Sequence, residues 1–469
     1  DGQNRSNYDI GADEYSNDDI IYRPLGKSDV GVVRDRIYCT TTEEIQEALQ
    51  TAQPGDNIVI APGTYASDGS NSGSSKASFF GYADGTPSAP ITLSSEDTTN
   101  RAVLSGTTLE HKYVLYITGD HWNISGLDLK YGQKGLILDN ADHTNVTNVN
   151  VYDIGTEGIH IRDGSSYCVI DRCHVYNTGR VRPGIGEGIY VGSAVNHWDE
   201  FEKSHTDVVI NNCTLGPNVT AEHVDIKEGT VGTIVKNCHL DGTGISGEHY
   251  ADSFMDVKGN YSIIRNNIGY RNDNGNIVDA FQTHEKVNVW GFNNYFYNNE
   301  LYLNHGSVNI VDASSGSALV SENIHHPGGT LYSGHVTEYD NLPPMISITS
   351  PADGKRFVEG EYITLSAEGF DVDGNISRVV FFANGTEIGD SESEPYQYLW
   401  RDVPADDYKL TAKVIDNEGF EKLSDPIYIM VNTPRENEYQ IAISEDDITA
   451  STDDGNIAAN TIDKDLNTR

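Results

Sequence analysis

A short phrase, an apolar strand followed by a polar turn, recurs between about residues 112 and 326 and constrains the fold more than any other feature. A unit of this kind buries its apolar face only against its neighbours, so its repetition predicts a solenoid of stacked coils. Its copies are Ser125-Gly126-Leu127-Asp128-Leu129, Thr147-Asn148-Val149-Asn150-Val151, Asp171-Arg172-Cys173-His174-Val175, Asn211-Asn212-Cys213-Thr214-Leu215, Lys236-Asn237-Cys238-His239-Leu240, Arg265-Asn266-Asn267-Ile268, Phe292-Asn293-Asn294-Tyr295 and Ser321-Glu322-Asn323-Ile324.

One position of this phrase forms a column that should lie inside the stack. A column of like residues that ends in an asparagine ladder is typical of stacked parallel coils. We therefore expect its three cysteines to be small buried hydrophobic residues rather than metal ligands or nucleophiles. The odd total of five cysteines does not suggest a disulfide framework. In chain order the column reads Leu127, Val149, Cys173, Cys213, Cys238, Asn267, Asn294 and Asn323.

A second phrase precedes the first in each coil and alternates strictly between apolar and other residues. Such alternation points Ile, Val, Met and Phe into the core and their neighbours outward. Together the two phrases predict an all-β chain built on a right-handed parallel β-helix. The copies of the second phrase are Gly158-Ile159-His160-Ile161-Arg162, Gly188-Ile189-Tyr190-Val191-Gly192, His223-Val224-Asp225-Ile226-Lys227, Phe254-Met255-Asp256-Val257-Lys258 and Ala280-Phe281-Gln282-Thr283-His284.

Breaks in this pattern predict four parts of the chain. Thr40 and Glu43 form a capping box for a short amphipathic helix, which would cover the open N-terminal end of the core. After Pro343, alternating strands separated by turn signals predict a β-sandwich. The predicted parts are an N-terminal extension over 1–36, the β-helix over 37–342, the sandwich over 343–433, and a linker with the start of a truncated module over 434–469.

The net charge of the chain limits the classes of molecule that it can bind. A formal net charge of -40 argues against nucleic acid and anionic membranes. No run of 18 apolar residues occurs, so no membrane-spanning helix is predicted. The Gly- and Tyr-rich composition and the polar start at Asp1, with no leader peptide before it, favour a secreted protein, which we expect to be a monomer.

Outward positions of the second phrase bring ionisable groups together. Adjacent coils lie about 4.8 Å apart, so two aspartates and two lysines would form a tight quartet. Like charges stacked on each other repel, and a face without a function would avoid them. One column reads His160, Tyr190, Asp225, Asp256 and Gln282, its neighbour reads Arg162, Gly192, Lys227, Lys258 and His284, and the acids before these strands are Glu157, Glu187, Glu222, Asp252 and Asp279.

This set suits the cleavage of a uronic-acid polymer by β-elimination. A base must remove the proton at C5, and a cation such as Arg162, a lysine or Ca²⁺ must neutralise the adjacent carboxylate. Lys227 or Lys258 could be the base, because a lysine beside another lysine has a lowered pKa. The proton for the leaving oxygen would come from one of three groups, namely His160, Tyr190 or His284.

The acidic residues of the same face predict a calcium ion. Ca²⁺ is a hard cation that takes six to eight oxygen ligands. A metal in the groove would also allow a chain of charge -40 to bind a polyanion. The predicted ligands are Glu222, Asp225, Asp252, Asp256 and Asp279.

Residues 37–340 resemble the pectate-lyase-like superfamily of β-helix proteins, which includes polysaccharide lyases. The resemblance implies a lysine or arginine base at an outward strand position with Ca²⁺ held by nearby acids, which makes Lys227 and Lys258 the leading candidates for the base. Three phrases carry the likeness: Val224-Asp225-Ile226-Lys227-Glu228-Gly229, Met255-Asp256-Val257-Lys258-Gly259 and Phe281-Gln282-Thr283-His284-Glu285.

Two segments beyond the β-helix resemble other modules. Residues 345–432 resemble bacterial Ig-like domains, and residues 441–469 resemble the start of a discoidin-type carbohydrate-binding module. The segment Asp371-Val372-Asp373-Gly374-Asn375 has the pattern of a calcium loop, although an ordinary turn gives the same pattern.

Residues near the predicted groove suggest how a polymer would be held. Arg180 and Arg182 precede a groove strand and could bind carboxylates or sulfates bidentately. Trp198 could stack on a sugar or pack on the barrel, and Gln282 is a further candidate contact. The expected substrate is an acidic polysaccharide: pectate, alginate, glucuronan or a glucuronomannan-type algal polymer.

Two other functions fit the same face. A glycoside hydrolase could use Asp225 and Asp256 as its carboxyl pair. A sugar-binding or adhesion protein would need the groove but no chemistry. Elimination leaves an unsaturated product that absorbs in the ultraviolet, hydrolysis leaves only new reducing ends, and a binding protein has no turnover.

Overall fold

The computed structural model describes residues 36–329 and 331–433, and it confirms the predicted all-β fold. Residues 36–329 and 331–338 form a parallel β-helix whose strands make three sheets along the stack. Each strand pairs in parallel with the equivalent strand of the next coil. The predicted extension, except for its last residue, and the predicted start of a further module lie outside the described residues. No helix in the two described ranges is both long and apolar enough to span a membrane.

The first sheet carries the predicted site, and the other two complete each coil. The strand Asn309–Ser321 is long enough to pair with both the first and the second sheet. First-sheet strands are Ala77–Gly81, Tyr113–Ile117, Lys134–Asp139, Ile159–Arg162, Ile189–Val191, Val224–Ile226, Met255–Val257, Asp279–His284, Asn309–Ser321 and Tyr332–Glu338. Second-sheet strands are Arg36–Cys39, Asn57–Ile60, Ile91–Ser95, Trp122–Ser125, Asn145–Thr147, Val169–Asp171, Val209–Asn211, Ile234–Lys236, Ile263–Arg265 and Asn294–Tyr297.

The third sheet and the loops fill the rest of the solenoid. The short strands His205–Thr206 and Thr230–Val231 pair beside the main sheets, and single 3₁₀ turns occur at Pro183–Ile185, Val195–His197 and Glu248–Tyr250. Third-sheet strands are Gly63–Ala66, Ala102–Ser105, Asp128–Lys130, Asn150–Tyr152, His174–Tyr176, Thr214–Leu215, His239–Asp241, Ile268–Tyr270, Glu300–Tyr302 and Ile324–His326.

A helix over Thr42–Thr51 covers the N-terminal end of the core, as predicted. Its buried residues include Ile45 and Leu49, which join the core of the β-helix. The capping box lies one residue later than predicted, between Thr41 and Glu44 rather than between Thr40 and Glu43. The helix begins at Thr42, so Glu44 and not Glu43 is its third residue. The Glu44 carboxylate accepts hydrogen bonds from the backbone N–H groups of Thr40 and Thr41 and completes the cap.

The interior column is largely as predicted, with one substitution. Cys173, Cys213 and Cys238 are buried free thiols, as expected of small hydrophobic residues. The ladder that follows runs through Asn299 and not through Asn294, which lies instead in a second-sheet strand. The error arose because two Asn-Asn pairs, Asn293-Asn294 and Asn298-Asn299, lie close together in one coil and only the second occupies the turn.

Buried amide bonds hold the ladder together. The Asn267 side chain donates to Asn299 at 3.0 Å, and the Asn299 side chain donates to Asn323 at 2.9 Å. Asn299 also donates to the backbone oxygen of Ile264 at 2.8 Å and accepts from the backbone N–H of Asn267 at 3.1 Å. Each buried amide is thereby satisfied by the coils above and below it.

The C-terminal domain is a sandwich of two sheets with its own core, and its strands are antiparallel except for the parallel pair Arg356–Val358 and Ile427–Asn432. Its residues Leu342, Phe370 and Val372 pack on outward apolar residues of the second sheet, including Ile234 and Tyr295. The domain therefore packs on a different sheet from the one that carries the predicted site. Its strands are Met345–Ser350, Arg356–Val358, Ile363–Phe370, Ile376–Ala383, Thr386–Ser391, Tyr396–Trp400, Asp406–Asp416, Glu421–Leu423 and Ile427–Asn432.

We predict that Asn299→Ala lowers the free energy of unfolding by roughly 2–4 kcal/mol, because it leaves buried amide and carbonyl groups of three neighbours without partners. Denaturant unfolding measures this. The control is Asn298→Gly, which removes an exposed bond to Asn266 and keeps a residue suited to the positive φ of 49°. Equal losses in the two variants would contradict a structural role for the ladder.

Candidate active site

The first sheet aligns the predicted outward column across five coils. His160 lies opposite Tyr190, and Tyr190 lies opposite Asp225. Asp225 lies opposite Asp256, which in turn lies opposite Gln282. The register predicted from alternation is therefore confirmed, and it brings the charged side chains of successive coils into contact.

The aspartates and lysines of this face form a quartet, which we call the lysine–aspartate cluster: Asp225, Asp256, Lys227 and Lys258. The Lys227 ammonium lies 2.5 Å from Oδ2 of Asp225. The Lys258 ammonium lies 3.0 Å from Oδ1 of Asp225 and also contacts Oδ2 of Asp256. Lys258 therefore pairs with carboxylates of its own coil and of the neighbouring one, and Lys227 pairs with the carboxylate of its own coil. These contacts offset the repulsion between stacked like charges.

The expectation that one lysine has a lowered pKa is wrong. Burial disfavours the charged form of Lys227, but the carboxylates of Asp225 and Asp256 outweigh burial, so its pKa lies above the usual value. The same balance raises the pKa of Lys258. The neighbouring lysine has a smaller effect than the carboxylates because each ammonium is in direct contact with an anion.

Tyr190 lies between the cluster and His160. Its ring centroid is 4.8 Å from the Lys227 ammonium and 4.3 Å from the centroid of the His160 ring. Burial and the nearby Asp225 raise the pKa of its phenol, so it stays protonated. Among residues 36–329 and 331–433, no group hydrogen-bonds to the Tyr190 hydroxyl.

Gly192 makes the close approach of Lys227 possible. A Cβ at Gly192 would lie 3.2 Å from Cβ of Lys227 and 2.7 Å from a methyl of Thr230, and the residue has a φ of +94°. Only glycine accepts both the crowding and this backbone conformation. The absence of a side chain in this position of the column leaves the Lys227 stem room to reach Asp225.

His160 is held by the protein through both ring nitrogens. Nε2 donates to the backbone oxygen of Gly192 at 3.1 Å, and Nδ1 lies 3.3 Å from the Lys134 ammonium. Burial and Lys134 lower the pKa of His160 well below its usual value, so the ring is neutral. Lys134 also pairs with Glu157, whose pKa it lowers against the effect of burial.

Arg162 is committed to a structural pair rather than to the groove. Its guanidinium binds Asp139 bidentately at 2.8 and 2.7 Å, and Phe201 lies over it at 4.0 Å. Asp139 also accepts from the Tyr116 hydroxyl at 3.0 Å. Sequence reasoning missed Asp139, although the alternation in Gly135-Leu136-Ile137-Leu138-Asp139 places it directly opposite Arg162.

The predicted calcium ligands do not gather in one place. In the described ranges, only Glu222 and Asp225 of that set lie within ligand distance of a third acid, Glu187. Asp252 accepts from Gln282 at 3.0 Å, and Asp279 accepts from Asn309 at 2.8 Å. Asp256 faces Lys258 and His284 instead, because the side chains of this column pair with the neighbouring lysine column.

Two buried glutamates, Glu187 and Glu222, form no ion pair with Lys227 or Lys258 in the described structure. Burial, then the charges of Glu157 and Asp225, raise the pKa of Glu187 to about 8. Burial and Asp225 also raise the pKa of Glu222 well above its usual value. Oε2 of Glu187 has no hydrogen-bond partner in the described part of the chain. The Glu187 carboxyl therefore favours its protonated form near neutral pH.

His284 closes the C-terminal side of the face. Its Nδ1 lies 2.8 Å from Oδ1 of Asp256, and this bond raises the pKa of the imidazole. The side chain is 36% exposed, so its other nitrogen remains accessible. Gln282 is turned toward Asp252 beside it.

Of the predicted polymer-binding residues, Gln282 lies in the strand Asp279–His284 opposite Asp256, whereas Arg180, Arg182 and Trp198 lie in loops. Arg180 pairs with Asp153 at 2.5 Å and is half exposed, and Arg182 is exposed. Trp198 donates to the backbone oxygen of Ser193 at 2.9 Å, and Lys203 lies 5.1 Å from its ring. Their contact with a polymer stays a prediction.

Family models match two parts of the chain. Residues 37–189 match the Pel9A-like right-handed beta helix region, and residues 344–412 match the bacterial Ig domain. No curated protein sequence matches the chain.

Solved structures give further matches. An alginate lyase from Paenibacillus sp. str. FPU-7 is 49% identical with a TM-score of 0.62, over 64% of this chain and 99% of that one. Pectate lyase Pel9A is 18% identical with a TM-score of 0.42, over 63% of this chain and 71% of that one. A rhamnogalacturonan lyase is 16% identical with a TM-score of 0.47, over 64% and 82%.

We predict that Glu187→Gln stabilises the protein increasingly as pH rises from about 5 to 8. A carboxyl whose pKa is about 8 when folded binds more protons folded than unfolded in this range, so wild-type stability falls as pH rises. The amide has no proton to lose. Thermal unfolding across this range, in chelator and in calcium, measures the difference.

The control is Glu110→Gln, which changes an exposed glutamate. A calcium-dependent loss of stability in Glu187→Gln, relative to wild type, would contradict the protonated state and indicate a metal at this position.

Proposed function

We propose that this chain, which belongs to the pectate-lyase-like right-handed β-helix polysaccharide lyases, cleaves alginate by β-elimination. The chain is a polysaccharide lyase, and its 49% identity to an alginate lyase supports alginate as the polymer. The single observation that carries the proposed chemistry is the cluster of two half-buried lysines beside a tyrosine hydroxyl that has no partner among the described residues.

β-Elimination makes three demands on the residues of this face. The C5–H bond of a uronate breaks as its proton passes to a base, and a C4=C5 double bond forms. The C4–O bond breaks with its electron pair on the leaving oxygen, which then takes a proton from an acid. A cation beside the uronate carboxylate stabilises the charge that develops as C5 loses its proton.

Lys227 is the group best suited to be the base. It has one carboxylate in contact, whereas Lys258 is held between two, those of Asp225 and Asp256. Lys258 therefore serves as the fixed cation for the uronate carboxylate. Arg162 is not available for this task because Asp139 holds it.

Tyr190 is the group best suited to protonate the leaving oxygen. Its hydroxyl has no partner among the described residues, its raised pKa keeps it protonated, and its ring adjoins Lys227. His160 is a poorer candidate because both of its nitrogens are engaged. His284 remains accessible but lies on the side of Asp256, farther along the column.

The donor set at this face does not fit a calcium ion. Both oxygens of Asp225 contact lysine ammonium groups, and Asp256 contacts Lys258 and His284. Glu187 and Glu222 alone cannot supply six to eight oxygens, and their raised pKa values favour protons. We therefore assign neutralisation of the carboxylate to lysine and route no step through a metal.

The alternative of a glycoside hydrolase is not favoured. A hydrolytic pair needs one carboxyl that keeps its proton. Burial would raise the pKa of Asp256, but Lys258 and the bond from His284 outweigh burial and hold the pKa below its usual range. Asp225 is bonded to lysine through both oxygens. Secretion remains part of the proposal, since an extracellular polymer requires an exported enzyme. The monomeric state also remains a prediction.

We predict that Lys227→Ala lowers kcat/KM on alginate by about 10²–10⁴-fold, the usual contribution of a positioned base. The assay follows ultraviolet absorbance of the unsaturated product. The control is Lys286→Ala, which removes an exposed lysine. Reducing ends released without absorbance by the wild-type enzyme would contradict elimination, and full activity in Lys227→Ala would contradict this base.

We predict that activity rises with pH into the alkaline range, because the base must lose a proton and its carboxylate neighbours raise its pKa. Asp225→Asn removes the anion in contact with Lys227, so the rising limb of kcat/KM should move to lower pH. The pH profile of the two enzymes measures this. A limb that does not move, or activity that falls as pH rises, would contradict a neutral Lys227 as the reactive form.

A further inference from the structure

We propose that a calcium ion binds in the Ig-like domain, at its junction with the β-helix, between the carboxylates of Asp371, Asp373, Asp416 and Glu418. The first two belong to the turn after Ile363–Phe370, and the others lie at the end of Asp406–Asp416 and just beyond it. One oxygen from each of Asp371, Asp416 and Glu418 lies within 4.8 Å of the other two.

Asp371 is the observation that points to a ligand. The residue is 8% exposed, and neither of its carboxylate oxygens has a hydrogen-bond partner in the described structure. Oδ1 of Asp373 is also buried and without a partner there. A buried carboxylate without donors is costly, and such groups are ordinarily paired or coordinate metals.

Gly374 leaves a space that these oxygens surround. A Cβ built on Gly374 would lie 2.7 Å from Oδ2 of Asp371, 2.6 Å from Oδ1 of Asn417 and 3.1 Å from Oε2 of Glu418. Oxygens from both turns therefore converge on one small volume. Calcium takes oxygen ligands at about 2.3–2.6 Å in flexible geometry, and these turns supply carboxylate and amide oxygens of that kind.

The Arg265 guanidinium of the β-helix donates to the backbone oxygen of Val372, between Asp371 and Asp373, at 3.5 Å. Among residues 36–329 and 331–433, no lysine or arginine forms an ion pair with any of the four carboxylates; the ion pairs of this domain join Arg378 to Glu387 and Asp390, and Lys413 to Glu421. Burial and Asp373 raise the pKa of Asp371 to about 7.

Remaining oxygens of the cluster tie it to the segment between the two domains. Oδ2 of Asp416 accepts from the Asn341 side chain at 2.6 Å, and Oδ2 of Asp373 accepts from the backbone N–H of Leu342 at 2.8 Å. Phe370 and Val372, beside the same turn, pack on the second sheet of the β-helix. An ion held here would fix the orientation of the Ig-like domain on the β-helix.

The test uses the whole chain after removal of divalent ions, with calcium titrated through the millimolar range by calorimetry. We expect one ion per chain and at least about tenfold weaker binding in Asp371→Asn, because the amide removes one of the charged ligands. Calcium should raise the Tm of the wild type and not that of Asp371→Asn.

Asp371→Asn is expected to fold, because the amide removes a buried charge. In chelator, its Tm should therefore lie above that of the wild type. Glu392→Gln, which changes an exposed acid of the same domain, should bind calcium as the wild type does. Glu187→Gln should also retain the ion, which separates this site from the groove. The proposal fails if the wild type shows no saturable binding, or if Asp371→Asn binds calcium as tightly as the wild type.

Discussion

The parallel pairing of successive coils is the constraint on which the rest of this molecule depends. Because each residue lies directly against its equivalent in the next coil, any residue that recurs at one position becomes a column. Inside the stack this gives an apolar core and an asparagine ladder. Outside, it forces Asp225 against Asp256 and Lys227 beside Lys258. The site is stable because each ammonium contacts a carboxylate, so that like charges in one column face unlike charges in the next.

The same constraint explains which features were predictable. Strict alternation made the outward column from His160 to Gln282 readable, since a slip of one residue would turn every apolar side chain outward. The Asn294 error arose because coil length varies and two Asn-Asn pairs lie close together. Electrostatics were less accessible: sequence places Lys227 beside Lys258, but only side-chain geometry shows that Asp225 lies between them and raises both pKa values.

Two acidic clusters illustrate why composition alone does not identify a metal site. In the groove, the carboxylates of Asp225 and Asp256 are already satisfied by ammonium groups. At the domain junction, neither carboxylate oxygen of Asp371 has a hydrogen-bond partner among the described residues. The difference is one of partners rather than of residue type, and it moves the expected calcium ion from the catalytic face to the Ig-like domain. The groove keeps lysine as its cation, which suits a polyanionic substrate.

The central claim is that Lys227 removes the C5 proton while Tyr190 protonates the leaving oxygen. A crystal structure of Lys227→Ala with an alginate oligosaccharide across the first sheet tests it most directly. We expect the C5 hydrogen of one uronate to face the space that the Lys227 ammonium occupies, the leaving oxygen to lie within hydrogen-bonding distance of Tyr190, and the carboxylate to lie against Lys258. A bound uronate whose carboxylate fills the Lys227 position, with its C5 hydrogen facing His284, would contradict the account.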